Sequence, residues 1–178
     1  ADSGRVIFDG SGSHIDVNSS AFPNSVTFND IQINSGGFSN VIQTGDVLVS
    51  TGTVDLVTGG IQGGTIEARG NVTVAPTFTQ GQSSTGGILA ITGLATRTIT
   101  IPAGVVMPGI TLDASAATIN TSGTGTIQFK EKLELREGTF SQGNANLLIQ
   151  ALPFVQSGGI FNAGSGTFTL NSGGLTVT

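Results

Sequence analysis

The 178-residue chain contains no cysteine, tryptophan or tyrosine, and only 10% of its residues are charged. Without cysteine, a disulfide framework and thiol chemistry are excluded. Six Lys and Arg residues against eleven Asp and Glu give a net charge of −5, which provides no basic surface for nucleic acid or for anionic lipid. The apolar runs, such as residues 88–91, are too short to span a bilayer. We therefore expect no nucleic-acid partner and no membrane insertion.

Glycine, by contrast, is abundant, with 28 residues. A hydrophobic content of 37% argues against intrinsic disorder, and a chain of this length can bury an apolar core without disulfides or metals. No long proline-rich or charged linker divides the sequence. We expect one domain over residues 1–178.

Apolar residues recur two positions apart along nearly the whole sequence. Ile99 and Ile101 flank Thr100, for example, and Leu133 and Leu135 flank Glu134. Side chains alternate between the two faces of a strand, so this period predicts short half-buried strands and almost no helix. Glycine combined with Ser, Asn or Thr separates these segments and supplies the turns. The sequence predicts an all-β fold.

Some apolar residues fall where this alternation predicts the outer surface. They are Ile7, Leu48, Leu89 and Leu148. Several exposed apolar side chains together indicate that another subunit or a capping segment covers part of the outside.

The spacing of the strands distinguishes two all-β architectures. Between Gly45 and Val74 the segments follow one another with little loop between them. Such short strands joined by small corners are typical of a parallel β-helix, or solenoid, in which each strand pairs with its equivalent one coil away. The alternative is a β-sandwich of the jelly-roll kind, which is built from hairpins.

Three segments carry a family resemblance: Gly4–Ile15, Gly45–Val74 and Gly158–Thr178. Their glycines and alternating Val and Thr resemble the repeats of bacterial secreted β-helix surface proteins, the autotransporter-passenger and haemagglutinin-like repeats. The resemblance implies a right-handed parallel β-helix displayed outside the cell, and it brings no catalytic motif. It is weakest between Pro76 and Pro108. We expect an extracellular or cell-surface location.

No residue pattern points to catalysis, a cofactor or a metal. His14 is the single histidine, and Asp16 lies two positions on, but there is no second histidine and no cysteine to complete a common zinc site. The Asp and Glu residues are scattered, although stacked coils can bring two of them together. We therefore assign no catalytic, cofactor-binding or metal-binding residues, and we expect that the protein is not an enzyme.

The charged segment 130–137 holds both lysines. Leu133 and Leu135 are predicted to point inward, and Lys132, Glu134 and Arg136 outward. One interpretation is a solvated strand with cross-strand ion pairs. The other is a subunit contact that fixes its register by charge complementarity.

Both terminal segments read as strands without a polar cap. Uncapped solenoid ends leave unpaired backbone groups, which another copy of the chain can satisfy by head-to-tail stacking. The sequence thus predicts a structural subunit or repeat module of an extracellular filament, sheath, adhesin or biofilm. Candidate interface residues are Val6, Ile7, Phe8, Phe168, Leu170, Leu175, Val177, Lys132, Glu134 and Arg136.

Two alternatives remain open for the function. One is a carbohydrate-binding or carbohydrate-cleaving β-helix, for which surface polysaccharide is the candidate partner. The other is an ice-binding solenoid, because Thr-x-Thr pairs recur in the sequence, as at Thr98 and Thr100.

Overall fold

The computed structural model describes residues 4–10, 12–17, 24–81, 86–150, 153–171 and 174–177, without the side chains of residues 37 and 38. All regular structure in these ranges is β-strand. The strands, in chain order, are β1 Arg5–Phe8, β2 His14–Ile15, β3 Ser25–Phe28, β4 Asp30–Ser50, β5 Thr53–Ala68, β6 Asn71–Val74, β7 Ile88–Thr92, β8 Arg97–Pro102, β9 Val106–Met107, β10 Gly109–Asp113, β11 Ala117–Ser122, β12 Thr126–Phe129, β13 Leu133–Leu135, β14 Thr139–Ser141, β15 Asn146–Ile149, β16 Phe154–Gln156, β17 Ile160–Asn162, β18 Phe168–Leu170 and β19 Leu175–Val177.

Every strand pairing is parallel, and it joins strands of successive coils. One coil takes 20 to 23 residues in the second half of the chain, the distances from Thr126 to Asn146 and from Ile110 to Leu133. The result is a β-solenoid of about seven turns. Parallel pairing across a coil, in place of hairpins, confirms the solenoid and rules out the sandwich.

Each coil passes over three faces. Face 1 contains β1, the beginnings of β4 and β5, and then β6, β8, β11, β14 and β17. Face 2 contains β2, the middle parts of β4 and β5, and then β9, β12, β15 and β18. Face 3 contains β3, the ends of β4 and β5, and then β7, β10, β13, β16 and β19.

The core consists of apolar side chains stacked in columns inside the three faces. Ile99 and Ile101, and Leu133 and Leu135, are buried as the period of two predicts. Face 3 shows the longest column, in which equivalent residues of successive coils pair in register. Its members are Val26, Leu48, Ile66, Leu89, Ile110, Leu133, Phe154 and Leu175.

The expectation that Leu48 and Leu89 lie outside is wrong, because both side chains are buried in this column. At Leu48, the side chain of Asp46, two positions earlier, is itself buried, so alternation turns Val47 outward and Leu48 inward. Ile7 is 48% exposed, and Leu148 is only half-buried, as expected.

The segment in which the repeat resemblance fades nevertheless continues the solenoid. β7 pairs with β5 on one side and with β10 on the other, which keeps face 3 unbroken. Face 1 is different, because β6 pairs only with β5 and β8 only with β11 among the described strands. The backbone ladder of face 1 is thus interrupted between the fourth and fifth coils.

The buried side chain of Arg97 lies at this interruption. It is 6% exposed, and its guanidinium donates hydrogen bonds to the backbone carbonyls of Arg69 at 2.6 Å, of Ala68 at 3.3 Å and of Thr92. Burial lowers the pKa of Arg97. The guanidinium therefore bridges two coils at a place where main-chain pairing stops.

Candidate functional site

The C-terminal coil is packed around a cluster of phenylalanine rings. Phe161 stacks on Phe140 with ring centroids 5.7 Å apart, and it meets Phe154 and Phe168 edge-on at 5.4 and 5.5 Å. Offset stacks and edge-to-face pairs are the favoured aromatic geometries, so the rings hold this end of the solenoid together. Phe161 and Phe168 are only partly buried, because they belong to the last coil that the structure describes.

The outer side of this coil is open and apolar. Leu175 and Val177 continue the inward columns of face 3, yet they are 61% and 63% exposed. Each of β17, β18 and β19 pairs on one side only within the described ranges, so the other edge offers free backbone groups. Phe168 and Leu170, two of the predicted interface residues, lie half-buried on the neighbouring β18.

The N-terminal coil presents the opposite end of the same arrangement. β1, β2 and β3 each pair with β4 alone among the described strands. Val6 and Phe8 point inward and are partly buried, while Ile7 points outward. A cavity of about 400 Å³ opens here, lined by residues 4–7 and 27–29.

The charged strand β13 lies on the side of the solenoid and not at an end. Lys132 and Arg136 bind opposite oxygens of Glu134, at 2.6 and 2.8 Å. Two residues of the preceding coil also contact this cluster. The Thr111 hydroxyl donates a hydrogen bond to Glu134 at 3.3 Å, and Asp113 forms an ion pair with Arg136 at 3.4 Å. The structure therefore places Lys132, Glu134 and Arg136 together, but separates them from the predicted interface residues at the two ends.

The ion pairs of this cluster make part of the stability depend on pH. Burial raises the pKa of Glu134, but the hydrogen bonds and charges of Lys132 and Arg136 outweigh it and hold the pKa below its ordinary value of 4.5. A carboxylate with a lowered pKa stabilises the fold above the ordinary value, and it loses this contribution as the pH falls through the lower, folded-state pKa.

We expect Glu134→Gln to reduce stability by about 0.5–1 kcal/mol at neutral pH and to make the loss of stability below pH 4.5 shallower. Thermal unfolding followed by circular dichroism between neutral and acidic pH measures both effects. The same substitution at exposed Glu137 serves as the control. Equal acid sensitivity of the unmodified chain and Glu134→Gln would contradict the assignment.

His14 in β2 and Asp16 directly after it, the pair considered for metal or base chemistry, are both exposed. Over the described part of the chain, no group of three or more His, Asp or Glu side chains is placed to hold a metal ion. Three other carboxylates accept backbone hydrogen bonds from a different coil: Asp46 from Val17, Asp30 from Thr53, and Glu131 from Gly86, at 2.6–2.7 Å.

The outer surface of face 1 carries two columns of uncharged polar side chains. The registers of β8, β11, β14 and β17 align Thr98, Thr118 and Thr139 in one column and Thr100, Asn120, Ser141 and Asn162 in the other. Ile160 ends the first column. Only one of the Thr-x-Thr pairs of the sequence, Thr98 and Thr100, lies in this array.

Sequence reasoning missed the polar residues that join the coils. Arg97, Glu131 and Gln80 are buried, and each has a partner in another coil, 19 to 45 positions away in the sequence. The side-chain amide of Gln80 accepts from the backbone N–H of Ile61 at 2.8 Å and donates to its carbonyl, as a strand residue would. The available signal was their phase, because each lies two residues from a buried apolar side chain: Gln80 from Phe78, Arg97 from Ile99 and Glu131 from Phe129.

Fold and surface together define the described part of the chain as a parallel β-solenoid, in which the strands of the first and last coils pair on one side only. No protein-family model, no curated protein and no solved structure matches the sequence or the fold. The described residues also contain no helix that is long and apolar enough to cross a membrane.

Proposed function

We propose that this chain is a structural module of an extracellular filament, sheath or adhesin, in which copies stack head-to-tail through their end coils. The observation that carries the proposal is the exposure of core-column side chains at the C-terminal end, Leu175 and Val177 above all. The role is structural and not catalytic, and the principal partner is a second copy of the chain.

The free strand edges support stacking. An unpaired parallel strand gains backbone hydrogen bonds from any further strand laid against it, with little demand on sequence. Among the described strands, three such edges lie at each end, one per face. A contact between two different surfaces does not close on itself, so it propagates into a filament.

The outer surface of face 3 carries paired charges, as expected for a module whose sides stay in contact with water. The charges of face 3 are neutralised in pairs, Glu67 with Arg69 at 2.7 Å and Glu134 with Lys132 and Arg136. A hydrogen bond from Arg69, together with its charge, lowers the pKa of Glu67 despite partial burial. These pairs favour contacts between ends over contacts between sides.

The test compares two exposed leucines. We expect Leu175→Glu to weaken assembly at least about 100-fold, because a carboxylate buried in an apolar junction costs several kcal/mol. Leu94 is 89% exposed at a corner on the side of the solenoid, so Leu94→Glu is expected to assemble like the unmodified chain. Light scattering gives the assembled mass, and negative-stain electron microscopy shows whether the assemblies are filaments.

An unmodified chain that stays monomeric at high concentration would contradict the proposed function. So would a Leu175→Glu variant that forms filaments as readily as Leu94→Glu. Circular dichroism of both variants checks that neither change has disturbed the fold.

A further inference from the structure

Resting on the proposed function, we infer that the junction between copies continues the register of face 3. In this arrangement β19 of one copy lies beside residues Val26–Phe28 of the next, with Thr176 directly opposite Thr27.

The first support is the continuity of face 3. Its register runs without interruption from β3 to β19, and the residue aligned with Leu175 is apolar in every coil. Adding Val26 beside Leu175 extends the inward column by one more apolar residue. Face 1 offers no such guide, since its ladder is interrupted between β6 and β8.

Slipped registers are unfavourable. A slip by one residue exchanges the faces, which would turn Thr176 or Thr27 into the core and an apolar neighbour into water. A slip by two residues, in one direction or the other, leaves either Leu175 or Val177 without an apolar partner in its column. The in-register junction alone covers both exposed side chains of β19.

Charge gives the junction its direction. Residues 1–74 hold seven acidic and two basic side chains and so carry the whole net charge of −5, while residues 75–178 hold four of each. No charged residue follows Glu137. Two N-terminal halves therefore repel each other, whereas an N-terminal half meets a C-terminal coil without charged side chains and is not repelled by it.

Free volume at the N-terminal end supports the same register. The cavity of about 400 Å³ is lined by Phe28, the residue that the register places against Val177. In the proposed junction, the exposed Val177 side chain therefore meets an apolar wall of this cavity.

Engineered cysteines test the register directly, because the chain has none of its own. Adjacent strands lie about 4.8 Å apart, within the Cα separation that a disulfide requires. We expect the double variant Thr27→Cys with Thr176→Cys, both at exposed outward positions, to give a ladder of covalent oligomers on non-reducing gels after mild oxidation. Most chains should enter the ladder, and reduction should return them to monomer.

Two control variants keep one cysteine and move the other. Thr27→Cys with Val155→Cys places the second thiol one coil away, about 10 Å off, beyond disulfide reach. Thr27→Cys with Asn162→Cys places it on face 1. Neither is expected to form the ladder, although both should assemble like the unmodified chain by light scattering.

The outcomes separate the register from the function. Filaments without the Thr27–Thr176 cross-link would overturn the register and leave the proposed function standing. A cross-linked dimer of the single variant Thr176→Cys would show contact between two C-terminal ends and overturn the direction. Absence of assembly in every variant, with the fold intact by circular dichroism, would overturn both proposals.

Discussion

Replacing Gly70 by alanine is expected to destabilise the solenoid by about 2–3 kcal/mol. Gly70 forms the corner between faces 3 and 1, directly over Gly52 of the preceding coil. A Cβ atom there would overlap the carbonyl oxygen of Gly52 and crowd the carbonyl oxygen of Thr51. Since both obstacles are backbone atoms held by the stacked coils, neither can move aside without disturbing the ladder.

The matched control is Gly125→Ala, at another corner, where the new Cβ would meet its nearest atom, Cβ of Ala103, at an ordinary 3.4 Å. Thermal unfolding followed by circular dichroism should place Gly70→Ala roughly 4–12 °C below this control. Equal melting temperatures for the two variants would show that the corners are free to move apart.

Replacing Arg97 by methionine is expected to cost about 2–4 kcal/mol. The change removes the donors to three backbone carbonyls, and a buried acceptor without a partner costs about 1–3 kcal/mol. The substitution also removes the desolvation cost of a buried cation, which offsets part of this loss. The carbonyls remain in place, however, so the lost hydrogen bonds dominate.

Arg69→Met is the control, because the Arg69 side chain is 52% exposed and pairs with Glu67 on the surface. Such a pair contributes at most about 1 kcal/mol. Because Arg97 bridges the interruption of face 1, its loss should also speed amide hydrogen exchange in β6 and β8 more than in β11. Loss of stability no larger than in Arg69→Met would contradict the bridging role.

The alternation of apolar residues was sufficient to predict most of the architecture. A period of two with glycine at the corners predicts strands, and close spacing of those strands predicts parallel coils, as at Gly45–Val74. The prediction was wrong at Leu48 and Leu89. Each lies in a run of at least three consecutive apolar or small residues, so the sequence does not show which of them point inward. There, burial of Asp46 and pairing with neighbouring coils decided which side chain faces the core.

For the candidate interface surfaces, too, some features were predictable from the sequence and others were not. The outward orientation of Lys132, Glu134 and Arg136 was predictable from their own strand, because alternation is a local property. Their contacts with Thr111 and Asp113 were not, since these residues are neighbours only through the stacking of coils. The terminal strands were likewise predictable, but the aromatic cluster behind them was not.

The sequence by itself determined the strands, the inward residues of most of them and the place of the turns, because each depends on residues within one short segment. Tertiary structure alone decided the register between coils, the interruption of face 1 and the position of Arg97 across it. These features depend on hydrogen bonds between residues some 18 to 29 positions apart. The sequence of one strand does not specify which residues of another coil it will pair with.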